Sequence, residues 1–144
     1  MTERFLIVEA DFYTELAAAQ KQGAVAALTA HGMAYESVSV PGALEIPAAI
    51  VFAEKTGRYA GYIALGCVIR GETTHYETVC NESARGIMDL TLQGYAIGNG
   101  ILTVENSEQA WDRADMSRKN KGGEAALAAI RMAELKSSFN AGGQ

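Results

Sequence analysis

Short apolar runs alternate with longer helical patterns along the whole chain, and this alternation restricts the fold more than any other feature. The first run, at 5–8, is uninterrupted (Phe-Leu-Ile-Val), as in a strand buried on both faces. Further strands are predicted at 35–40, 62–65 and 96–103. Helices are predicted at about 13–31, 44–54, 75–92 and 123–135. Ser107 is predicted to be the N-cap residue of a further helix that carries 109–113. This order predicts a four-stranded parallel sheet covered on both faces, a three-layer α/β/α sandwich.

The chain is expected to form one domain over 1–144, because it shows neither an internal repeat nor a linker long enough to divide it. In parallel sheets of this kind, ligands bind beyond the carboxyl ends of the strands. The segments that follow the predicted strands are therefore the first candidates for a site: 10–13, 41–45, 67–75 and 104–106.

Composition excludes several classes of function. The net charge of -5 disfavours a nucleic-acid surface, which needs clustered lysine and arginine. The apolar runs are far shorter than a membrane span, and the first residues do not resemble a signal peptide. Cys67 and Cys80 have no metal-type spacing, and His31 lies 44 positions from His75. A reduced, cytoplasmic protein without a metal is expected.

One loop combines groups that could bind an anion and move a proton. Residues 66–75 read Gly-Cys-Val-Ile-Arg-Gly-Glu-Thr-Thr-His, between a predicted strand and a predicted helix. Backbone N–H groups at a helix start lack intrahelical partners and attract anions. His75, in the first turn, can titrate near neutral pH. The same loop is equally compatible with an ordinary helix start whose histidine is solvated.

Several blocks of sequence, taken together and in order, resemble the lumazine synthase family over about 6–135. They are Glu-Ala-Asp-Phe-Tyr at 9–13, Val-Pro-Gly-Ala-Leu-Glu-Ile-Pro at 40–47, the loop at 66–75, and the stretches at 98–106, 108–114 and 120–122. The resemblance implies a flavodoxin-like fold. It also implies condensation of 5-amino-6-(D-ribitylamino)uracil with 3,4-dihydroxy-2-butanone 4-phosphate to 6,7-dimethyl-8-ribityllumazine, in riboflavin biosynthesis. The family uses no organic cofactor and no metal.

The resemblance assigns the phosphate and the proton chemistry to a few residues. Glu72 and Thr73 match positions that hold the phosphate, chiefly through backbone N–H groups. Arg113 matches an arginine that reaches this phosphate from a neighbouring subunit, where its planar fork suits phosphate oxygens. His75 matches the family's general acid or base, and Lys121 matches a lysine near the site. Without the resemblance, Arg113 would be interpreted as a helix-surface residue.

The other implied residues bind the pyrimidine and the ribityl chain. Phe12 matches the aromatic side chain that stacks on the pyrimidine, although the same residue could be a strand-end core aromatic. Many family members have an aromatic residue at the position of Asn99; as a natural subtype, Asn99 is expected to hydrogen-bond the pyrimidine across the subunit interface. The ribityl chain is assigned to Ala43, Leu44 and Glu45, and the pyrimidine edge to the backbone of Cys67, Val68 and Ile69. Cys67 is then a packing residue.

Two departures from the family pattern leave alternatives open. Asp11 occupies a position that is often arginine, beside the predicted stacking residue. Gln20, Lys21 and Gln22 form a polar run in an alanine-rich helix, a candidate for an altered or engineered surface. The alternatives are a catalytically weakened oligomeric scaffold on the same fold, or another phosphate-handling α/β enzyme.

The family's unit is a homopentamer with active sites between subunits, so small-molecule substrates and copies of the chain are the expected partners. Asp-Met-Ser-Arg-Lys at 115–119 replaces the Gly-Thr-Lys-Ala-Gly turn common in members that build shells. The predicted first strand also begins close to Met1. Both features favour a free pentamer, either alone or as a pair of pentamers, over a shell.

Overall fold

A parallel sheet of four strands forms the centre of the molecule, with the spatial order β2-β1-β3-β4. The computed structural model describes residues 3–142. The strands are β1 (Arg4–Ala10), β2 (Ala34–Val40), β3 (Gly61–Ile69) and β4 (Ile97–Val104). The helices are α1 (Thr14–Ala30), α2 (Ile46–Glu54), α3 (His75–Leu92), α4 (Ser107–Ala114) and α5 (Lys121–Gly142), and a 3-10 turn at Ala43–Glu45 precedes α2.

Alternate residues of the central strands face two different apolar cores. Phe5 and Ile7 of β1 pack with the inner faces of α1 and α5, whereas Leu6 and Val8 pack with α2 and α3. Strands buried on both sides need continuous apolar sequence, which explains the uninterrupted run at 5–8. The predicted α/β/α arrangement is confirmed.

Strand β3 is longer than predicted. It continues to Ile69, because its last residues pair with β4 in the register Cys67↔Leu102, Val68↔Thr103 and Ile69↔Val104. Only 70–74 therefore forms the loop before α3. The last helix is also longer than predicted at both ends. It begins at Lys121, and it continues beyond Leu135 because no glycine or proline interrupts it between Gly123 and Gly142.

The start of α4 differs by one residue from the prediction. Asn106, not Ser107, is the N-cap residue, and its Oδ1 accepts a hydrogen bond of 2.8 Å from the backbone N–H of Gln109. An asparagine cap satisfies one of the amide groups that a helix start leaves without a partner.

Helix α5 lies unusually close to β4 and to α1. A Cβ atom at Gly98 would come within 1.8 Å of the carbonyl oxygen of Ala125. A Cβ atom at Gly122 would come within 2.1 Å of the carbonyl oxygen of Gln20. These close approaches position the beginning of α5 beside the carboxyl end of the sheet.

The polar run in α1 is not a continuous surface patch. Gln22 is exposed and Lys21 is half-buried, but Gln20 is completely buried. The helical period places position 20 on the inner face, which consists of Leu16, Ala17, Gln20, Gly23, Ala24 and Leu28. For Gln20, the expectation of an altered surface is therefore wrong.

Candidate functional site

A cavity of about 440 Å³ lies beyond the carboxyl ends of β1, β2 and β3, and we call it the strand-end cavity. It is at the edge of the sheet where ligands bind in this class of fold. Its lining comes from the segment after β1, the turn after β2, the end of β3 and the first turns of α3: Phe12, Tyr13, Pro41, Gly42, Ala43, Leu44, Glu45, Cys67, Val68, Ile69, His75 and Val79.

Two aromatic side chains form one wall of this cavity. The Phe12 side chain is 68% exposed and contacts Tyr13 edge to face, with ring centroids 4.9 Å apart. Phe12 is therefore not a core aromatic, and its ring has a free apolar face on which a flat heterocycle could stack. Sequence reasoning assigned no role to Tyr13, although its place beside Phe12 was a usable signal.

The turn between β2 and α2 forms another part of the cavity lining. Ala43 is buried, while Leu44 and Glu45 are exposed. The backbone N–H of Glu45 donates to the carbonyl oxygen of Gly42 at 3.1 Å, which closes the turn. The Glu45 carboxylate is therefore accessible to hydroxyl donors of a ligand.

The end of β3 contributes an edge of half-buried residues, Cys67, Val68 and Ile69. Burial raises the pKa of the Cys67 thiol to about 11. The thiol is therefore protonated at neutral pH, and a protonated thiol is a poor nucleophile. This agrees with the expectation that Cys67 packs and does not react.

His75 is exposed at the start of α3, on the rim of the strand-end cavity. Its backbone N–H donates to Oγ1 of Thr73 at 3.3 Å. Thr74, the N-cap residue, makes no side-chain capping bond, so the helix start keeps amide donors for an external anion. Glu72 and Thr73 are exposed in the adjoining loop and do not line the cavity.

Arg70 joins both ends of this loop to the rest of the site. Its guanidinium lies 2.6 Å from Oε1 of Glu77 on α3 and 2.9 Å from Oε2 of Glu105 after β4. It also lies over the Tyr76 ring, 4.4 Å from the centroid. These hydrogen bonds raise the pKa of Arg70 and lower that of Glu77. Arg70 is thus occupied by carboxylates and orients the loop, a role that sequence reasoning missed.

A second cavity, of about 370 Å³, lies between β4 and the start of α5, and we call it the edge cavity. Asn99, Arg113 and Lys121 all line it. Arg113 donates to the carbonyl oxygen of Gln109 at 3.1 Å and lies 3.9 Å from the Asp112 carboxylate. Its guanidinium therefore keeps donors for a further anion.

The structure divides the predicted residues between the two cavities, which share no lining residue. Asn99, Arg113 and Lys121 line only the edge cavity. Those that line only the strand-end cavity are Phe12, Ala43, Leu44, Glu45, Cys67, Val68, Ile69 and His75. A site that uses both sets within one chain would have to span two separate depressions.

Glu9 is a half-buried acidic residue that sequence reasoning did not single out. Its Oε2 is buried without a hydrogen-bond partner among the described residues. Burial raises the pKa of this carboxyl group, nearby Asp11 adds to the effect, and Lys21 opposes it. A carboxylate at the end of an apolar run was the available signal. Asp11 itself is exposed.

Within residues 3–142, no three histidine, cysteine, aspartate or glutamate side chains form a group that could hold a metal ion. In the same part of the chain, no helix has the length and apolar character needed to cross a bilayer.

Comparison with known proteins gives a consistent result. The family model described as 6,7-dimethyl-8-ribityllumazine synthase matches residues 2–137. A protein of that name from Sphingopyxis alaskensis is 62% identical over 137 residues, covering 95% of this chain and 97% of the relative. One from Erythrobacter litoralis is 58% identical, covering 96% and 99%. One from Bartonella tribocorum is 60% identical, covering 93% and 90%.

Proposed function

The chain belongs to the 6,7-dimethyl-8-ribityllumazine synthase family, and from this premise we propose which substrates it joins and which residues act on them. Membership makes it a transferase of riboflavin biosynthesis. The proposed reaction condenses 5-amino-6-(D-ribitylamino)uracil with 3,4-dihydroxy-2-butanone 4-phosphate to give 6,7-dimethyl-8-ribityllumazine.

The observation that most supports these substrates is the combination of groups around the strand-end cavity. A free aromatic face at Phe12 suits a pyrimidine, and the accessible carboxylate of Glu45 suits the hydroxyls of a ribityl chain. His75 lines this cavity and is the first residue of α3, whose helix start is suited to an anion. A phosphate on the second substrate would thereby be held beside the reacting amine.

The chemistry requires proton transfers more than it requires a strong nucleophile. The substrate amine attacks the ketone carbonyl and forms an imine with loss of water. Phosphate then leaves, and the ribityl-bearing amine closes the second ring with loss of another water. In this scheme His75 moves protons, while the loop amides and Arg113 balance the charge of the phosphate. The protonated thiol of Cys67 takes no part.

We also propose that the edge cavity of one subunit meets the strand-end cavity of its neighbour in a homopentamer. The division of the predicted residues between two depressions supports this arrangement, because Arg113 and Asn99 lie outside the strand-end cavity of their own chain. A ring built from one repeated heterologous contact brings unlike surfaces together at every interface. We propose the cytoplasm as the compartment, which suits the two free thiols, Cys67 and Cys80.

The deciding experiment is turnover of the two substrates by the purified chain, followed by the absorbance of the product and by phosphate release. We expect catalysis well above the uncatalysed condensation, measured in parallel without enzyme. Folded protein that shows no acceleration would instead support a weakened scaffold. In that case an Asp11→Arg variant tests whether Asp11 is responsible, since restoring a cation there should restore the rate.

A further inference from the structure

Gln20 makes a pair of hydrogen bonds that joins two neighbouring strands. Its side-chain amide nitrogen donates to the carbonyl oxygen of Gly66 in β3 at 3.0 Å and to that of Gly100 in β4 at 2.9 Å. A primary amide has two N–H hydrogens, so both are used. The side chain is completely buried, and it reaches from α1 to the middle of β3 and β4.

The two carbonyl groups lie directly beside the residues assigned to substrate. Gly66 precedes Cys67, where the strand-end cavity begins along β3. Gly100 follows Asn99, and both line the edge cavity. One side chain therefore holds a backbone group next to each of the two depressions.

Packing alone does not explain a glutamine at this position. The Gln20 Oε1 atom is buried and has no hydrogen-bond partner among the described residues, which is unfavourable in an apolar interior. Elsewhere the same inner face of α1 carries apolar residues such as Leu16 and Leu28. A leucine could fill the space without burying an unpartnered oxygen, so the benefit of Gln20 must come from its two donors.

The backbone of Gln20 adds a third connection. Its carbonyl oxygen lies so close to Gly122, near the start of α5, that a Cβ atom there would come within 2.1 Å of it. Lys121, the adjacent residue, lines the edge cavity. Gln20 is thus in contact with β3, β4 and the first turn of α5, the elements that form the inner walls of both depressions.

We propose that Gln20 is a positioning residue that holds β3 and β4 together at the start of their last residues, 66–69 and 100–104, so that the two cavities of each chain keep the shapes their substrates need. The role in substrate binding rests on the function proposed above, whereas the role in holding the strand ends does not. Gln20 acts through the backbone of 66–69 and 99–103 and does not itself contact substrate.

The test compares Gln20→Met, which keeps the length of the side chain but removes both donors, with Gln22→Met on the exposed face of the same helix. The first readout is amide hydrogen exchange of the full chain without ligand. We expect the amides of 66–69 and 100–104 to exchange at least about fivefold faster in Gln20→Met, while those of 46–54 in α2 stay unchanged. Gln22→Met should match the parent protein throughout.

The second readout is steady-state kinetics. We expect the KM values of both substrates to rise about three- to tenfold in Gln20→Met, with a smaller change in kcat, because the lost contacts position the substrates and do not transfer protons. If Gln20→Met does not fold, Gln20→Leu provides the same measurements with a side chain that this face of α1 already carries.

The outcomes separate the possible roles. Two outcomes would overturn the proposal and show that Gln20 contributes to stability alone. One is faster exchange spread evenly over the chain, and the other is a lower Tm with unchanged KM values. Local exchange at the strand ends in a protein that does not turn over the two substrates would support the positioning role and contradict the proposed function. Unchanged exchange at 66–69 and 100–104 would overturn the positioning role whatever the kinetics.

Discussion

The side chains of His75 and Arg113 both have hydrogen-bonding groups that are available to a ligand. The His75 ring makes no hydrogen bond with the residues that the structure describes and lies on the rim of a cavity. Among residues 3–142, Arg113 uses one donor on its own helix and otherwise has a long contact with Asp112. A group without strong internal partners can meet a ligand without first breaking a contact. Substitution should therefore affect catalysis more than folding.

Replacing His75 by alanine should lower kcat about 10- to 100-fold, at the lower end of the range for a positioned proton donor or acceptor, because proximity carries much of this condensation. Steady-state kcat of the parent enzyme and of the variant under the same conditions is the measurement. His31→Ala, at the exposed end of α1, is the control and should leave kcat unchanged. A His75→Ala enzyme with the full rate would remove His75 from the chemistry.

Replacing Arg113 by alanine should weaken binding of the ketone phosphate by about 1.5–3 kcal/mol, the range for a charge-assisted contact, and should leave the pyrimidine substrate nearly unaffected. Arg113→Lys should recover only part of the loss, since the planar fork is missing. Separate titrations of the two substrates provide the measurement. Arg131→Ala, which removes an exposed arginine of α5, is the matched control. Equal losses for both substrates would mean that Arg113 is structural.

Glu9 should make the free energy of unfolding fall as pH rises. Burial raises the pKa of its carboxyl group, so the folded protein retains a proton that the unfolded chain releases above the ordinary value of 4.5. Its contribution to stability is complete below 4.5 and is lost as pH rises through the raised pKa. Glu9→Gln should therefore increase Tm by a few degrees at pH 8 and change it little near pH 4. Glu3→Gln, at an exposed position, is the control. A variant less stable than the parent at pH 8 would contradict this account.

At the scale of secondary-structure elements, the loop between β3 and α3 is held at both ends. The backbone N–H of Arg70 donates to the carbonyl oxygen of Val104 at 2.9 Å, which extends the sheet by one bond. The guanidinium of the same residue links Glu105 to Glu77 on α3. A short loop with fixed ends keeps the amides at the helix start in place, as an anion site requires.

The packing of α5 against β4 leaves no room for a side chain at Gly98. Gly98→Ala would place a Cβ atom 1.8 Å from a backbone oxygen, which cannot rotate away as a side chain can. We expect a loss of about 1–3 kcal/mol or more in the free energy of unfolding, measured by urea denaturation. Gly142→Ala, at a position with no atom within 4 Å, should change it by about 0.5 kcal/mol at most. Similar stability for both variants would show that α5 shifts freely.

At the scale of the whole molecule, the chain carries two incomplete sets of groups. The strand-end cavity holds the aromatic wall and His75, and the edge cavity holds Arg113 and Asn99. The free edge of β4, which ends the sheet in the order β2-β1-β3-β4, borders the second set. An uncovered sheet edge is open to contact with another chain. If the chain forms the ring proposed above, catalysis should depend on that ring, and dilution to monomers should abolish it.

Subunit mixing tests this dependence directly. Refolding His75→Ala and Arg113→Ala chains together in equal amounts should form some interfaces where an intact His75 faces an intact Arg113. Random mixing makes about a quarter of the sites complete, so about a quarter of the parent activity should return. Mixing His75→Ala with a chain that carries both substitutions cannot form a complete site and is the control. Mixtures no more active than the separate variants would place both residues in the site of one chain.

Some of this architecture was determined by the sequence alone. The alternation of apolar runs and helical patterns predicted the parallel sheet, since a strand buried on both faces needs uninterrupted apolar residues. The bounds of α3, His75–Leu92, follow from local periodicity and from Gly94 shortly beyond its end. The rule that strand ends share one edge of a sheet also predicted that Phe12, Glu45 and Ile69 would meet.

Other features depended on which elements pack together, and local sequence does not encode that. The last three residues of β3 are a strand only because β4 offers them partners, and Phe12 is exposed only because no element covers it. The sequence predicted that Gln20 belongs to a polar surface. In the structure Gln20 is buried between α1, α5 and the sheet, and its amide donates to two carbonyl groups. The separation of Arg113 from His75 has the same origin. Burial and proximity are set by neighbours distant in the chain, so tertiary structure decided them.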